Sequence, residues 1–216
     1  MRGWRLAMED AHIADQYFTA NSSLFAVFDG HGGNEVAKFC SNHFGKLLRK
    51  NKKFLDESDI PQALEDTFFA LDEMLLDPIH DDELFNYNEE HNGTNLVGCT
   101  ANVVIIQNNI IYCANAGDSR SVLYQNSKKV VALSKDHKPE NNLERERIEK
   151  AGGHVSFGRV CGNLSLSRSI GDFEYKKRKD LNPKKQIVTA FPDLHIHHIT
   201  PSDAFIVMGC DGVWEM

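Results

Sequence analysis

The sequence predicts an α+β fold built on a large, layered antiparallel sheet. Apolar residues recur at helical spacing between about residues 34 and 76, and then the period changes. From Leu96 to Leu133, four stretches rich in β-branched residues alternate or run apolar with no helix between them. Helices and strands grouped in this way argue for segregated layers and against a doubly wound sheet. A third observation concerns strand ends. Two apolar stretches each deliver an aspartate-glycine pair, FAVFDG at 25–30 and FIVMGCDG at 205–212, which places two carboxylates at one mouth of a sheet.

The first of these belongs to Leu24–Gly33, LFAVFDGHGG. Leu24 to Phe28 are continuously apolar, the pattern of a strand buried on both faces. The strand is expected to stop at Asp29, where glycines turn the backbone so that a carbonyl can point at whatever the carboxylate holds. A simple Asp-Gly turn has the same local pattern; the repetition at Asp211 favours a site. Residues 1–20, with Arg5, Met8, Glu9, Asp10 and His12, read as an exposed charged segment unless they pair beside the Asp29 strand. Val36, Ala37, Cys40, Phe44, Leu47 and Leu48 mark a helix over Asn34–Lys50 with basic residues in its last turn. A second helix spans about Pro61–Leu76, with Leu64, Phe68, Leu71 and Leu75 on one face, Asp59 as cap and Pro61 in the first turn.

Residues 77–94 are acidic and weakly patterned, a surface loop. Leu96–Ile106, Asn109–Asn115, Arg120–Tyr124 and Lys128–Leu133 are expected to form an antiparallel meander, with turn residues at 108–109 and 125–127. A charged helix, Glu140–Ala151, ends at Gly152-Gly153. Short strands around 154–170 and 193–199 flank an irregular basic segment, Tyr175–Lys185. A last strand, Ala204–Met208, leads to Cys210, Asp211 and Gly212.

Composition bounds the function. The 216 residues show no compositional seam and are expected to form one domain. A hydrophobic share of 41% and a charged share of 25% are those of a globular protein. The net charge of −7 argues against nucleic acid or an anionic membrane as partner. No apolar run is long enough to span a bilayer, and the N-terminus has no signal-peptide pattern. The expected location is therefore the cytoplasm, the nucleus or both. Five cysteines (Cys40, Cys99, Cys113, Cys161, Cys210), an odd number without close pairing, read as reduced core residues rather than a disulfide frame or zinc cage.

The acids that follow or flank apolar strands are Glu9, Asp10, Asp29, Asp118 and Asp211. Carboxylates crowded together raise one another's pKa, and divalent cations are their natural compensation. Mg²⁺ and Mn²⁺ prefer such oxygen ligands. Two ions a few Å apart can hold a hydroxide and clamp both oxygens of an in-line displacement. Arg5 adds a planar fork matched to a phosphoryl group, and His31 an acid able to protonate a leaving alkoxide. Together these groups spell phosphate-ester hydrolysis.

Other phosphate chemistries fit less well. Neither a P-loop nor a G-x-G-x-x-G stretch is present. Cys113 to Arg120 and Cys161 to Arg168 each enclose six residues, one more than the loop of a cysteine phosphatase. Several features also have plain structural readings. Asp118 can be a turn residue, Arg168 a loop brace, the HIHH run at 195–198 solvated histidines, and the KKRK run at 176–179 a solvated basic patch.

The segments RGWRLAMEDAH, LFAVFDGHGG, GCTA, ANAGDSR, LSKDHKP, ERIEKAGG, LSLSRSIGD and CDGVWE stand in the order found in metal-dependent Ser/Thr protein phosphatases of the 2C type. The chain resembles that family over nearly its whole length. The resemblance implies a sandwich of two antiparallel sheets flanked by helices, with a binuclear Mn²⁺ or Mg²⁺ centre at one edge. Asp29 would bridge both ions, the Gly30 carbonyl would serve one, Asp211 would ligate the other, and Glu9 and Asp10 would act directly or through waters. Arg5 would grip the phosphate and His31 would be the general acid. Asp118, with Asp211, resembles part of a weaker third-metal site. Residues 166–190 resemble the flap beside the active site, and phosphorylated Ser/Thr proteins are the implied partners. Thr100 and Arg168 match motif positions and are expected to be structural.

Departures from the pattern leave two readings open. The chain ends at Met216, where family members continue and supply a late aspartate ligand. Glu215 stands where the pattern has aspartate, and a strand before Met1 is also wanting. The resemblance therefore implies a C-terminally incomplete domain, with exposed sheet edges. One reading is an active phosphatase; the other is a catalytically weak domain that binds phosphoproteins or partners through the same site. A metal-free scaffold accounts least well for acids placed at strand ends.

Overall fold

The computed structural model describes residues 4–80 and 97–215. Strands β1 (Asp10–Asp15) and β2 (Ser22–His31) pair antiparallel, with Asp10 opposite Asp29. The charged N-terminal segment thus does pair beside the Asp29 strand. Two expectations about β2 are corrected. The strand runs on through Asp29 to His31, and it is not buried on both faces. Ser22, Leu24, Ala26, Phe28 and Gly30 are buried, while the alternate residues, Asp29 and His31 among them, are half-covered. An all-apolar run conceals this difference, because the pleat assigns successive side chains to opposite faces whatever their chemistry.

The buried face of β2 packs on helices α1 (Glu35–Leu48), α2 (Lys52–Leu55) and α3 (Ile60–Met74). Phe28 and Phe44 meet with rings tilted and centroids 6.2 Å apart, and Phe68 meets Phe44 edge-on at 5.6 Å. Burial of each such ring contributes roughly 2–3 kcal/mol. Asp59 caps α3 as expected, accepting the Gln62 N–H at 3.0 Å. The short α2, capped by Asn51, was not anticipated from the sequence.

Strands β3 (Gly98–Cys99), β4 (Ala101–Gln107) and β5 (Ile110–Ala116) follow. Asn108 and Asn109 both take positive φ between β4 and β5, the requirement of a tight hairpin turn. Strands β6 (Arg120–Gln125) and β7 (Val130–Ala132) also pair. The expected single meander is nonetheless wrong, because β6 does not pair with β5. Between them the chain crosses at Gly117-Asp118 to a second sheet. Sequence pattern reports strands, and it does not report which sheet each joins.

Helix α4 (Asn142–Lys150) ends at Gly152, φ +91°; the Gly152 and Gly153 N–H groups close back on the Glu149 and Ile148 carbonyls. Strands β8 (Val155–Ser156), β9 (Arg159–Val160), β10 (Ile170–Gly171), β11 (Asp193–His198) and β12 (Asp203–Gly209) complete the sheets. Helix α5 (Asp211–Trp214) then opens at the second Asp-Gly pair. The seven-stranded sheet has the order β10-β3-β2-β4-β5-β11 with β1 on the other edge of β2; the second sheet is β12-β6-β7. Val104, Ile111, Cys113, Leu123 and Leu133, with Ile206 and Met208, fill the space between the two. The fold is α+β with stacked antiparallel sheets, as the sequence predicts. Of the expected loop at 77–94, Pro78–His80 form a helical turn, and 81–94 lie outside the described residues.

Candidate active site

The half-covered face of β2 carries Asp29 at the rim between the sheets. Its backbone is clamped on one side by Thr100. The Asp29 N–H donates to Thr100 Oγ1 at 3.1 Å, and the Thr100 N–H donates to the Asp29 carbonyl at 2.9 Å. Thr100 Oγ1 in turn shares a 2.7 Å hydrogen bond with Ser119 Oγ. Thr100 therefore acts on the backbone of Asp29, a structural role of the kind expected for it. On the other side, the Gly30 N–H donates to the Glu9 carbonyl at 3.2 Å. A Cβ at position 30 would lie 2.5 Å from that oxygen and 2.8 Å from the Gly33 carbonyl, so only glycine fits.

Asp10 faces Asp29 across the β1–β2 register. The Cys210 thiol donates to Asp10 Oδ2 at 3.5 Å, which ties the end of β12 to the start of β1. One ligand atom each from Asp10, Asp29 and Cys210 lies within 4.8 Å of the others. Asp211 is the next residue and begins α5. Asp118 is buried at the sheet crossing, where Lys138 Nζ donates to its Oδ2 at 2.6 Å and lies 3.0 Å from Glu215 Oε1. The two Asp-Gly strand ends and the crossing turn thus converge. Glu9 is half-buried beside Gly30. Arg5 is exposed ahead of β1 and makes no hydrogen bond or ion pair among the described residues.

Electrostatics confirm the crowding. The Asp29 carboxyl is pushed up to about 7, first by burial and then by the charges of Asp10, Asp211 and Asp118. Asp211 is raised as well, by burial and by Asp118, with Lys138 opposing. The Cys210 thiol is pushed up to about 11 by burial and by the Asp10 and Asp29 charges. A set of oxygen donors that repel one another in this way fits a hard divalent cation.

His31 projects from the same face. Its Nε2 lies 2.7 Å from Asp172 Oδ2. Burial by itself would lower the imidazole pKa, but the hydrogen bond and charge of Asp172, with Asp29 and Asp118 beyond, raise it overall. Asp172 is 1% exposed and left-handed at φ +52°. It lies in the LSLSRSIGD segment just after β10, with no apolar run before it to mark it as a site residue. Lys138, within LSKDHKP, likewise has no local pattern that marks it as a partner of Asp118.

Other features have plain roles. Arg168 donates to both oxygens of Glu144 and to Asp193 Oδ1, a brace as expected. His195 and His198 are exposed, while His197 pairs with Asp203 at 2.8 Å. The KKRK run is not a solvated patch throughout: Lys176 is enclosed and paired with Asp72, Lys177 meets Glu174, and Arg178 meets Asp180.

The family pattern described as Protein phosphatase 2C matches residues 1–216. Over 215 residues the chain is 51% identical to "Probable protein phosphatase 2C 5" of Paramecium tetraurelia, covering 100% of this chain and 72% of the relative. The chain belongs to the protein phosphatase 2C family. It is 47% identical over 222 residues to "Protein phosphatase 2C homolog 2" of Schizosaccharomyces pombe, covering 100% of this chain and 56% of the relative. The crystal structure of a phosphatase from Toxoplasma gondii superposes with a TM-score of 0.80 at 27% identity, covering 99% of this chain and 74% of that one. This phosphatase 2C chain is accordingly a protein serine/threonine phosphatase of a metal-dependent family, with phosphoproteins as its substrate class. Among the described residues, no helix is long and apolar enough to cross a membrane.

Proposed function

We propose that the chain hydrolyses phosphoserine and phosphothreonine at the Asp29 rim. Asp29, the Gly30 carbonyl, Asp211, Glu9 and Asp10 would hold two Mn²⁺ or Mg²⁺ ions, and Asp118 with Asp211 a weaker third. The observation that supports this is the convergence at one rim, where Asp10 faces Asp29 across β1–β2 and one ligand atom each from Asp10, Asp29 and Cys210 lies within 4.8 Å of the others, with Asp211 next in the chain. When bound, such ions acidify water and polarise phosphoryl oxygens.

The chain's own residues do the rest. Arg5, ahead of β1, would take two phosphoryl oxygens in its planar fork. His31 has Nε2 committed to Asp172, which leaves Nδ1 to face the substrate. As the P–O bond to the seryl or threonyl oxygen breaks, the Nδ1 proton passes to that oxygen and the alcohol leaves; water supplies the new oxygen of inorganic phosphate. Asp172 holds the ring and favours its protonated form. The flap at 166–190 would contribute to substrate choice.

The test is phosphate release from a phosphothreonine peptide under Mn²⁺ titration. Turnover should depend on Mn²⁺ and fall to background in Asp29→Ala; no turnover at any Mn²⁺ concentration rejects the reading. Phosphopeptide binding without turnover, lost in Arg5→Ala, would support the binding-domain reading instead.

A further inference from the structure

Asp72, on α3, belongs to none of the groups assigned above, yet it is nearly enclosed. Its Oδ1 accepts the Gly171 N–H at 2.8 Å, and Lys176 Nζ donates to both oxygens at 2.9 and 2.6 Å. The same ammonium donates to the Ser169 carbonyl at 2.9 Å. The two side chains are 14% and 8% exposed. They therefore grip the chain on both sides of Ile170, immediately ahead of Asp172.

That turn is built to present one carboxylate. Ser169 Oγ donates to Asp172 Oδ2 at 2.5 Å, and the Asp172 N–H donates to the Val97 carbonyl at 3.0 Å. The carboxylate has room against His31 because position 98 lacks a side chain: a Cβ there would lie 2.4 Å from Asp172 Oδ2. At Gly171, φ +86°, a Cβ would likewise lie 2.5 Å from the Val97 carbonyl oxygen, so the turn also needs glycine there. A buried ion pair gives little stability over apolar residues of the same size, and holding a register is its best-attested use.

We propose that the Asp72–Lys176 pair is a positioning device for leaving-group protonation: it fixes the Ser169–Asp172 turn, and through Asp172 the His31 ring. The proposal rests on His31 being the general acid. An alkoxide must be protonated as it leaves, whereas p-nitrophenolate departs as an anion, so two substrates separate this role from general damage.

The experiment compares kcat for a phosphothreonine peptide and for p-nitrophenyl phosphate, in the full chain with Mn²⁺. The reference is His31→Gln, in which the peptide-to-nitrophenyl ratio should collapse; an unchanged ratio there overturns the general-acid reading and this proposal with it. Given a collapse, the double variant Asp72→Leu/Lys176→Met should lower the ratio about tenfold, part of the roughly 10²–10⁴ that acid catalysis supplies. KM for both substrates and Mn²⁺ affinity should stay within about twofold. Equal losses on both substrates, or no loss in a folded variant, overturn the proposal while the reading of His31 stands. Should the double variant not fold, Asp72→Asn carries the test: a smaller fall in the ratio supports the proposal and an unchanged ratio overturns it.

Discussion

Around Glu144 every buried negative charge meets a cation, whereas around Asp29 carboxylates face carboxylates. Glu144 is 3% exposed and accepts from Arg168 on both oxygens, from Arg147 Nη1 at 2.6 Å and from Ser167 Oγ at 2.6 Å. Burial would raise its pKa, but the Arg168 hydrogen bond and the two guanidinium charges bring it down to about 2. Asp29 has a comparable setting and the opposite outcome, about 7, because its neighbours are Asp10, Asp211 and Asp118. Both clusters bury a carboxylate, and they differ in what surrounds it. One is electrically closed by the chain itself, and in the other the carboxylates still repel one another.

The largest way to break the comparison is to open the closed cluster. Arg168→Met leaves Glu144 with only Arg147 and Ser167 as partners, and Asp193 with one fewer. Removing one member of a buried pair costs about 3–5 kcal/mol, which for a chain of this size is a fall in Tm of about 10 °C. Its acid dependence should change too. Glu144 has a folded pKa below its unfolded one, so its stabilisation is present above about pH 4.5 and is lost as pH falls towards about 2. Thermal scans from pH 3 to pH 7 should therefore show the gap between variant and wild type closing on the acid side. A constant gap would mean that Arg168 acts by packing rather than charge.

The complementary change closes the open cluster. Asp29 has a folded pKa raised above its unfolded one, so the folded, metal-free chain keeps a proton that the unfolded chain has lost. Stability without metal must fall as pH rises from about 4 through about 7. Asp29→Asn removes that penalty, on the order of 1–3 kcal/mol. In EDTA at pH 8 the variant should melt roughly 5 °C above wild type, with the two coinciding near pH 4. With saturating Mn²⁺ the order should reverse, because only wild type gains binding energy. A variant less stable in EDTA at pH 8 would show that Asp29 is compensated by the chain.

How much of this was legible beforehand follows from sequence distance. The two long helices, the Asn108-Asn109 turn and the Gly152-Gly153 cap are local patterns, and each forms where its residues predict. The alternation of β2 was hidden by an apolar run in which both faces look alike. The crossing at Gly117-Asp118 was hidden because hairpin and crossover have the same strand spacing. Asp172 and Asp72 escaped for a different reason. His31 meets Asp172 across 141 residues and Asp72 meets Lys176 across 104, and no single-chain pattern reports which Gly-Asp pair arrives beside which strand. The family motifs place the acids together, but not the cations that do or do not reach them.

Asp118 tests where the line between open and closed clusters falls, because it has features of both. It is buried and contributes to the raised pKa of Asp29 and Asp211, yet Lys138 already meets it at 2.6 Å. Burial would lower the lysine's pKa; its bonds and attraction to Asp118 and Glu215 raise it instead. A metal bound between Asp118 and Asp211 must therefore compete with a resident ammonium, which is a physical reason for a third ion to be weak. Lys138→Met removes the competitor without adding a ligand. The half-exposed pair is worth on the order of 1 kcal/mol, so the weakest Mn²⁺ site in a calorimetric titration should tighten by about fivefold, while the metal-free chain loses a little stability. If that site weakens or stays as it was, Lys138 supports the third ion rather than standing in for it, and Asp118 belongs with Glu144 among the charges the fold has already closed.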